Sequence, residues 1–248
     1  MTRAQSEVIG FVLVFSLIVA STGIVYVVGL SSLQDARTAE QLNNVERAFD
    51  ILDDNMRDLS RRGAPTRSTE IDLAGGALRL GDPVTVTVEA ENTTSGDTTT
   101  ITTTSRPIVY EKDDRQVVYV YGATLRQNGD DSVMVTEPSW LVGERRTLVP
   151  LLVTQAAEGR TAVGGQTTVL LRARADSRGV RSSTVESGAS TELTVTVESP
   201  RAEAWGRFAE RRGFTAVDAD ASDGEVTYRT TTDGVVIQLT TTSVNFDL

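Results

Sequence analysis

The chain has 248 residues, 39% of them apolar and 23% charged, enough for one ordinary domain plus an appendage or for two small domains. It contains neither Cys nor His, which excludes disulfides, thiolate metal sites, cysteine nucleophiles and the Ser-His-Asp triad. With 34 acidic against 24 basic residues and a formal net charge of -10, its field repels phosphate backbones, so nucleic acid is not an expected partner.

The first element is apolar. Val8 to Leu30 reads VIGFVLVFSLIVASTGIVYVVGL without a charge. At 1.5 Å per residue this makes a helix ~34 Å long, against a bilayer core of ~30 Å, and it predicts a transmembrane helix over 8–30. Ser31-Ser32-Leu33-Gln34 offers no small-x-small cleavage site, so the segment is expected to stay in the mature chain. Residues 1–7, with Arg3, form a short leader. The charge bias puts that end in the cytoplasm and the long C-terminal part outside the cell. Taken alone, the span fits a plain signal anchor equally well.

Arg3-Ala4-Gln5-Ser6-Glu7-Val8-Ile9-Gly10 resembles the start of archaeal type IV pilin-like proteins with a class III signal peptide. That family's S-P-V-I-G pattern is matched at Ser6, Val8, Ile9 and Gly10, with Glu7 in the place of proline. The resemblance implies cleavage between Ala4 and Gln5 by a prepilin-type peptidase, so that Arg3, Ala4 and Gln5 form the processing site. It also implies contact with other pilin-like subunits through the N-terminal helix. Glu7 has two readings: a headgroup-layer carboxylate paired with Arg3 one turn earlier, or, as the resemblance implies, a group that meets a neighbouring subunit's terminal amine. Ser16, Ala20 and Gly23 recur at i, i+4 and i+7 and give one helix face small enough for close helix contact in lipid. Lys112 is the sole lysine among the basic residues, and an acidic, arginine-dominated chain resembles proteins of high-salt organisms.

Residues 31–62 become charged without Pro or Gly, predicting that the helix continues as a stalk. Leu42, Val45, Phe49, Leu52, Met56 and Leu59 form an a/d stripe, while Asp50, Asp53, Asp54, Arg57, Asp58, Arg61 and Arg62 fall on the other faces. The stripe needs cover, either from the chain's own sheet or from a partner coiled coil. Gly63 and Pro65 predict the helix end near residue 62.

Residues 68–248 change to period-two Thr/Val alternation, as in Val84-Thr85-Val86-Thr87-Val88-Glu89 and Leu193-Thr194-Val195-Thr196-Val197-Glu198. Further runs at 117–121, 148–153, 168–173, 226–231 and 235–241 predict an antiparallel β-sandwich or jelly-roll-like domain. Gly81-Asp82-Pro83, Asn128-Gly129-Asp130 and Asp233-Gly234 are read as turns, the last closing a hairpin of the final two strands. Thr98 to Thr104 is left between strand and loop. One short helix is expected after Ser199-Pro200, with Ser199 as N-cap, Trp205 and Phe208 facing the core, and Gly213 as the stop. The fold class expected is α+β: a long N-terminal helix, half transmembrane and half amphipathic, ahead of this β-rich extracellular domain.

Chemistry is sparse. Asp218, Asp220, Asp223 and Glu225 are the best metal candidate, as an oxygen-rich calcium loop, but Arg229 stands where an EF-hand needs its bidentate glutamate, and a solvated acidic loop is the expected state. Asp113-Asp114 and Asp130-Asp131 lie in turns and do not suggest a glycosidase pair, so neither an enzyme nor a cofactor is expected. Asn92-Thr93-Thr94 is a glycosylation sequon. The leading functional expectation is a membrane-anchored, pilin-like surface protein, a subunit or minor component of a type IV pilus-like assembly. The alternative is a non-polymerising, signal-anchored extracellular module that binds glycan or protein.

Overall fold

The computed structural model describes the backbone of residues 2–184 and 190–248, and within these the side chains other than those of residues 2–9, 27, 30–35 and 181–184. The chain divides into two compact units, Met1–Asn44 and Val45–Leu248. Helix α1 runs over Thr2–Arg61, and its first part makes up the first unit. From Gly10 to Tyr26 every side chain is exposed, with Phe11, Leu17 and Val25 each at 71%. Among the described residues no helix is long and apolar enough to cross a membrane. The transmembrane helix expected over 8–30 is therefore described only in part, because the side chains of Val8, Ile9, Val27 and Leu30 lie outside the described residues.

The second unit is α+β and predominantly β. Its strands are β1 (Thr66–Asp72), β2 (Ala77–Leu80), β3 (Val84–Asn92), β4 (Thr98–Ser105), β5 (Ile108–Lys112), β6 (Arg115–Val120), β7 (Ala123–Asn128), β8 (Asp131–Thr136), β9 (Thr147–Ala156), β10 (Ala162–Gly164), β11 (Thr168–Thr184), β12 (Thr191–Glu198), β13 (Thr215–Asp218), β14 (Glu225–Thr232) and β15 (Gly234–Asp247). They form three sheets ordered β1-β11-β15-β9, β10-β2-β5-β6-β7-β8 and β13-β14-β12-β3-β4, here sheets A, B and C. Thr98 to Thr104 resolves to strand β4, an edge of sheet C.

Period-two alternation places the core. Val84, Val86 and Val88 of β3 and Leu193, Val195 and Val197 of β12 point to one side of sheet C. There they meet Val118 and Val120 of β6, Val149, Leu151 and Val153 of β9, and Ile237 of β15. Helix α2 (Ala202–Arg211) adds Trp205 and Phe208, which pack with Trp140 at centroid distances of 6.3 and 5.3 Å. Its N-cap is Arg201, not Ser199. Ser199 instead accepts from the Arg201 amide at Oγ (3.1 Å) and from the Ala202 amide at its carbonyl (3.0 Å), so the Ser199-Pro200 turn is used up ahead of the helix.

Two sheet expectations are corrected. β9 pairs in parallel with β15, a pairing available to β9 because it is buried along much of its length and needs no wet face. β14 and β15 do not form a hairpin: β14 belongs to sheet C and β15 to sheet A, separated by Asp233 alone. Thr232 is buried and donates its hydroxyl to the Gly143 carbonyl at 2.8 Å, while the Asp233 amide donates to Glu144 at 2.7 Å. These bonds hold the corner where a primed turn would have folded the chain back, and Gly234 keeps an ordinary φ.

The C-terminal part of α1 covers the other side of sheets A and B. Val45, Phe49, Leu52, Met56 and Leu59 are buried, so the stripe is used within the chain. Asn55 donates to Ser68 and Thr69 of β1, Thr136 of β8 to Asp50, and Gln238 of β15 to the Ser60 carbonyl. Arg126 of β7 forms an ion pair with Glu46. The helix ends at Arg61 with Gly63 at φ 73°, and Arg178 of β11 donates to the helix-end carbonyls of Leu59 and Ala64 at 2.9 and 2.6 Å.

Candidate functional site

In the first unit, the Ser16, Ala20 and Gly23 face of α1 is exposed, and a Cβ added at Gly23 would meet nothing within 4 Å. The surrounding Phe11, Leu13, Leu17, Ile18, Ile24 and Val25 are exposed as well, so this stretch is apolar all round. A helix of that kind is stable only with apolar cover, from lipid or from other helices. The processing-site residues Arg3, Ala4 and Gln5, and the subunit-contact candidate Glu7, lie outside the residues whose side chains are described.

In the second unit, a polar cluster lies beneath α1 that sequence reasoning missed. Asp53, expected on an outward face, is 2% exposed. Its Oδ2 meets the Arg57 guanidinium at 2.5 Å, while its Oδ1 has no partner. The Tyr119 hydroxyl and Thr124 Oγ1 are likewise buried and unpartnered, and these two residues are direct cross-strand partners in β6 and β7. Burial pushes the Asp53 carboxyl up from 3.8 to about 6, against the lowering pull of Arg57 and with further raising by Asp54 and Asp50. Burial also holds the Tyr119 phenol well above its ordinary value, helped by the Asp53 charge. The signal that would have found the site is helical geometry: Asp53 follows Leu52 directly and sits at the edge of the a/d stripe.

The calcium candidate is a loop of Asx turns. Asp218, Asp220 and Asp223 each turn Oδ1 onto a backbone amide two residues on, those of Asp220, Ser222 and Glu225, all at 3.0 Å. The Ser222 hydrogen bonds hold the Asp220 carboxyl below the usual carboxylate range. Such Asx turns aim the oxygens at the loop's own backbone, and among the described residues no group of three acidic side chains is placed to hold a metal ion. At molar KCl, millimolar calcium should therefore leave the melting temperature of the protein unchanged. A calcium-specific rise that is lost in Asp220→Asn would overturn this.

Asn92 is half-buried at the β3–β4 turn, where its Oδ1 accepts from the Thr94 and Ser95 amides at 2.9 and 3.1 Å. The turns carrying Asp113-Asp114 and Asp130-Asp131 are neighbours, joined by the Gly129 amide donating to the Asp114 carbonyl at 3.1 Å, and all four carboxylates are exposed. Exposed carboxylates at turn tips have no cleft in which to flank a scissile bond.

The architecture thus defines a class: a long helix, apolar and uncovered in its first part, leading into a three-sheet β-rich unit. The chain belongs to DUF7289, a family of unknown function, which matches residues 3–247. An uncharacterized protein of Archaeoglobus fulgidus is 28% identical over 80 residues, covering 32% of this chain and 26% of that protein, so the chain spans about a quarter of that relative's length. The ywiB protein of Bacillus subtilis, a solved structure, is 11% identical over 62% of this chain and 92% of its own, with a TM-score of 0.15.

Proposed function

We propose that the protein is a pilin-like surface protein held in the cell membrane by the N-terminal part of α1. In this reading residues 1–7 are cytoplasmic, the β-rich unit is extracellular, and the partners are the membrane, a prepilin-type peptidase and other pilin-like subunits. The observation that carries the reading is the run of exposed apolar side chains from Phe11 to Val25, on a helix whose later turns bury a separate apolar stripe. The two parts of α1 solve different problems: one covers sheets A and B, and the other is left for lipid and neighbouring helices. The resemblance of Ser6, Val8, Ile9 and Gly10 to the class III signal pattern supports the same reading. Asn92, on an extracellular turn, is the glycosylation candidate.

Mass spectrometry of the protein extracted from native membranes should find Gln5 as the first residue, the product of a cut after Ala4. An intact Met1 or Thr2 terminus would favour the signal-anchored binding module instead. A terminus beyond Leu30 would remove the anchor altogether.

A further inference from the structure

Sheet C has two open edges, β13 and β4. Unpaired edges invite pairing with another chain, and proteins blunt them with charge, proline, brevity or cover. The other described edges show these devices. β1 carries Arg67, Glu70 and Asp72, and β9 carries Pro150. β10 has three residues, and β13 has four and ends in Asp218. The carbonyl of Ser132 in β8 is taken by Arg207 of α2. β4 has eight residues, no charge and no proline, and Thr98, Thr99, Thr100, Thr102 and Thr104 are exposed.

The sequence of that edge is self-complementary: Thr98-Thr99-Thr100-Ile101-Thr102-Thr103-Thr104 reads the same in both directions from Ile101. We propose that β4 is a homodimerisation edge, on which a second copy of this chain adds its own β4 antiparallel about a two-fold axis through Ile101. That pairing sets Thr98 against Thr104, Thr100 against Thr102 and Ile101 against its equivalent, joining two copies of sheet C into one continuous sheet. Cross-strand Thr–Thr contacts to β3 already form on the exposed face of the same strand, with Thr102 to Thr87 at 3.1 Å and Thr104 to Thr85 at 3.4 Å. Ile101 is half-buried and packs against the main core, so a second Ile101 beside it extends that core across the joint. Charge favours this edge over the rest of the surface. Two copies with a net charge of -10 repel each other, and β4 itself carries no charge, the carboxylate beside it being that of Glu89 on β3, which accepts from the Thr100 hydroxyl at 3.4 Å. The contact is isologous and closes at two, so it pairs copies and does not extend a row. It stands independently of the membrane reading.

The chain has no cysteine, which makes cross-linking a clean test. The full chain is prepared in detergent at molar KCl, as separate Thr100→Cys and Thr102→Cys variants and as their equimolar mixture, and is oxidised with copper phenanthroline. The mixture should give a disulfide-linked dimer much faster than either variant alone, because Thr100 lies directly opposite Thr102 and neither lies opposite its own equivalent. In parallel, Thr100→Lys/Thr102→Lys places like charges across the joint, and should reduce the particle mass from two chains to one while leaving the far-ultraviolet circular dichroism of the folded chain unchanged. A single-chain mass for the unsubstituted protein, a doubled mass that persists in the folded lysine variant, or equal cross-linking in the mixture and the single variants overturns the proposal. If the lysine variant does not fold, the cysteine pair alone decides.

Discussion

Phe49→Ala should destabilise the protein by about 3–5 kcal/mol and Leu52→Ala by about 2–5 kcal/mol, the range for emptying a fully buried site. Both side chains are 0% exposed, flanked along the same stripe by Val45, Met56 and Leu59. The surrounding structure has little room to collapse into the cavity, because polar bonds from five strands fix the helix above sheets A and B: Asn55 to β1, Arg126 of β7 to Glu46, Thr136 of β8 to Asp50, Arg178 of β11 to Leu59, and Gln238 of β15 to Ser60. Ile51 is the internal control. It lies on the same helix at 58% exposure, and Ile51→Ala should fall within about 0.5 kcal/mol of the unsubstituted protein. Denaturant unfolding followed through Trp140 and Trp205, both in the main core, reads all three. If Phe49→Ala and Ile51→Ala behaved alike, the stripe would not be the chain's own core and a partner helix would have to supply the cover.

Much of this was legible from periodicity. The spacing from Val45 to Leu59 gave the buried face of α1, Leu42 being only half-buried, and the alternation in β3 and β12 gave the inward valines of sheet C, because both patterns are local consequences of backbone geometry. Which strands pair was not local. The Asp233-Gly234 dipeptide has hairpin chemistry, yet tertiary bonds from Thr232 and Asp233 to the Gly143-Glu144 loop send β15 into another sheet, and nothing within ten residues of that turn announces it. The parallel β9–β15 pair is hidden for the same reason, since its two strands are far apart in sequence. Asp53 was misplaced by a rule that sorts charged residues outward. A helix face is a continuum of angles, and a residue next to the stripe is buried when the sheet below is wide enough to reach it. The self-complementarity of β4 was present in the letters, but it acquires meaning only once the strand is known to be an edge.

Asp53 should make the protein more stable in mild acid. Its carboxyl has an ordinary value of 3.8 when unfolded and about 6 in the fold, so the folded state holds the proton more tightly. The sign follows from proton counts. Between these two values the native state binds more protons than the unfolded one, so stability falls as pH rises towards 6. Above 6 the full cost of a buried carboxylate is present. At 1.36 kcal/mol per pH unit that cost is roughly 2–3 kcal/mol, carried by burial and by the nearby Asp54 and Asp50, and only partly offset by Arg57 and Arg61. Asp53→Asn removes the charge and keeps the shape. Arg57, with 36% of its side chain exposed, can turn to water when its partner is lost. The Asn amide can also donate to the unpartnered Tyr119 hydroxyl or Thr124 Oγ1. At pH 7.5 Asp53→Asn should therefore be more stable than the unsubstituted protein by about 1–2 kcal/mol, and at pH 4.5 the two should nearly coincide. Unfolding free energies measured at both pH values in molar KCl, which screens the exposed carboxylates, isolate this group. A loss of stability in Asp53→Asn at pH 7.5 would mean that the Arg57 pair outweighs the burial cost and that the carboxylate holds α1 down.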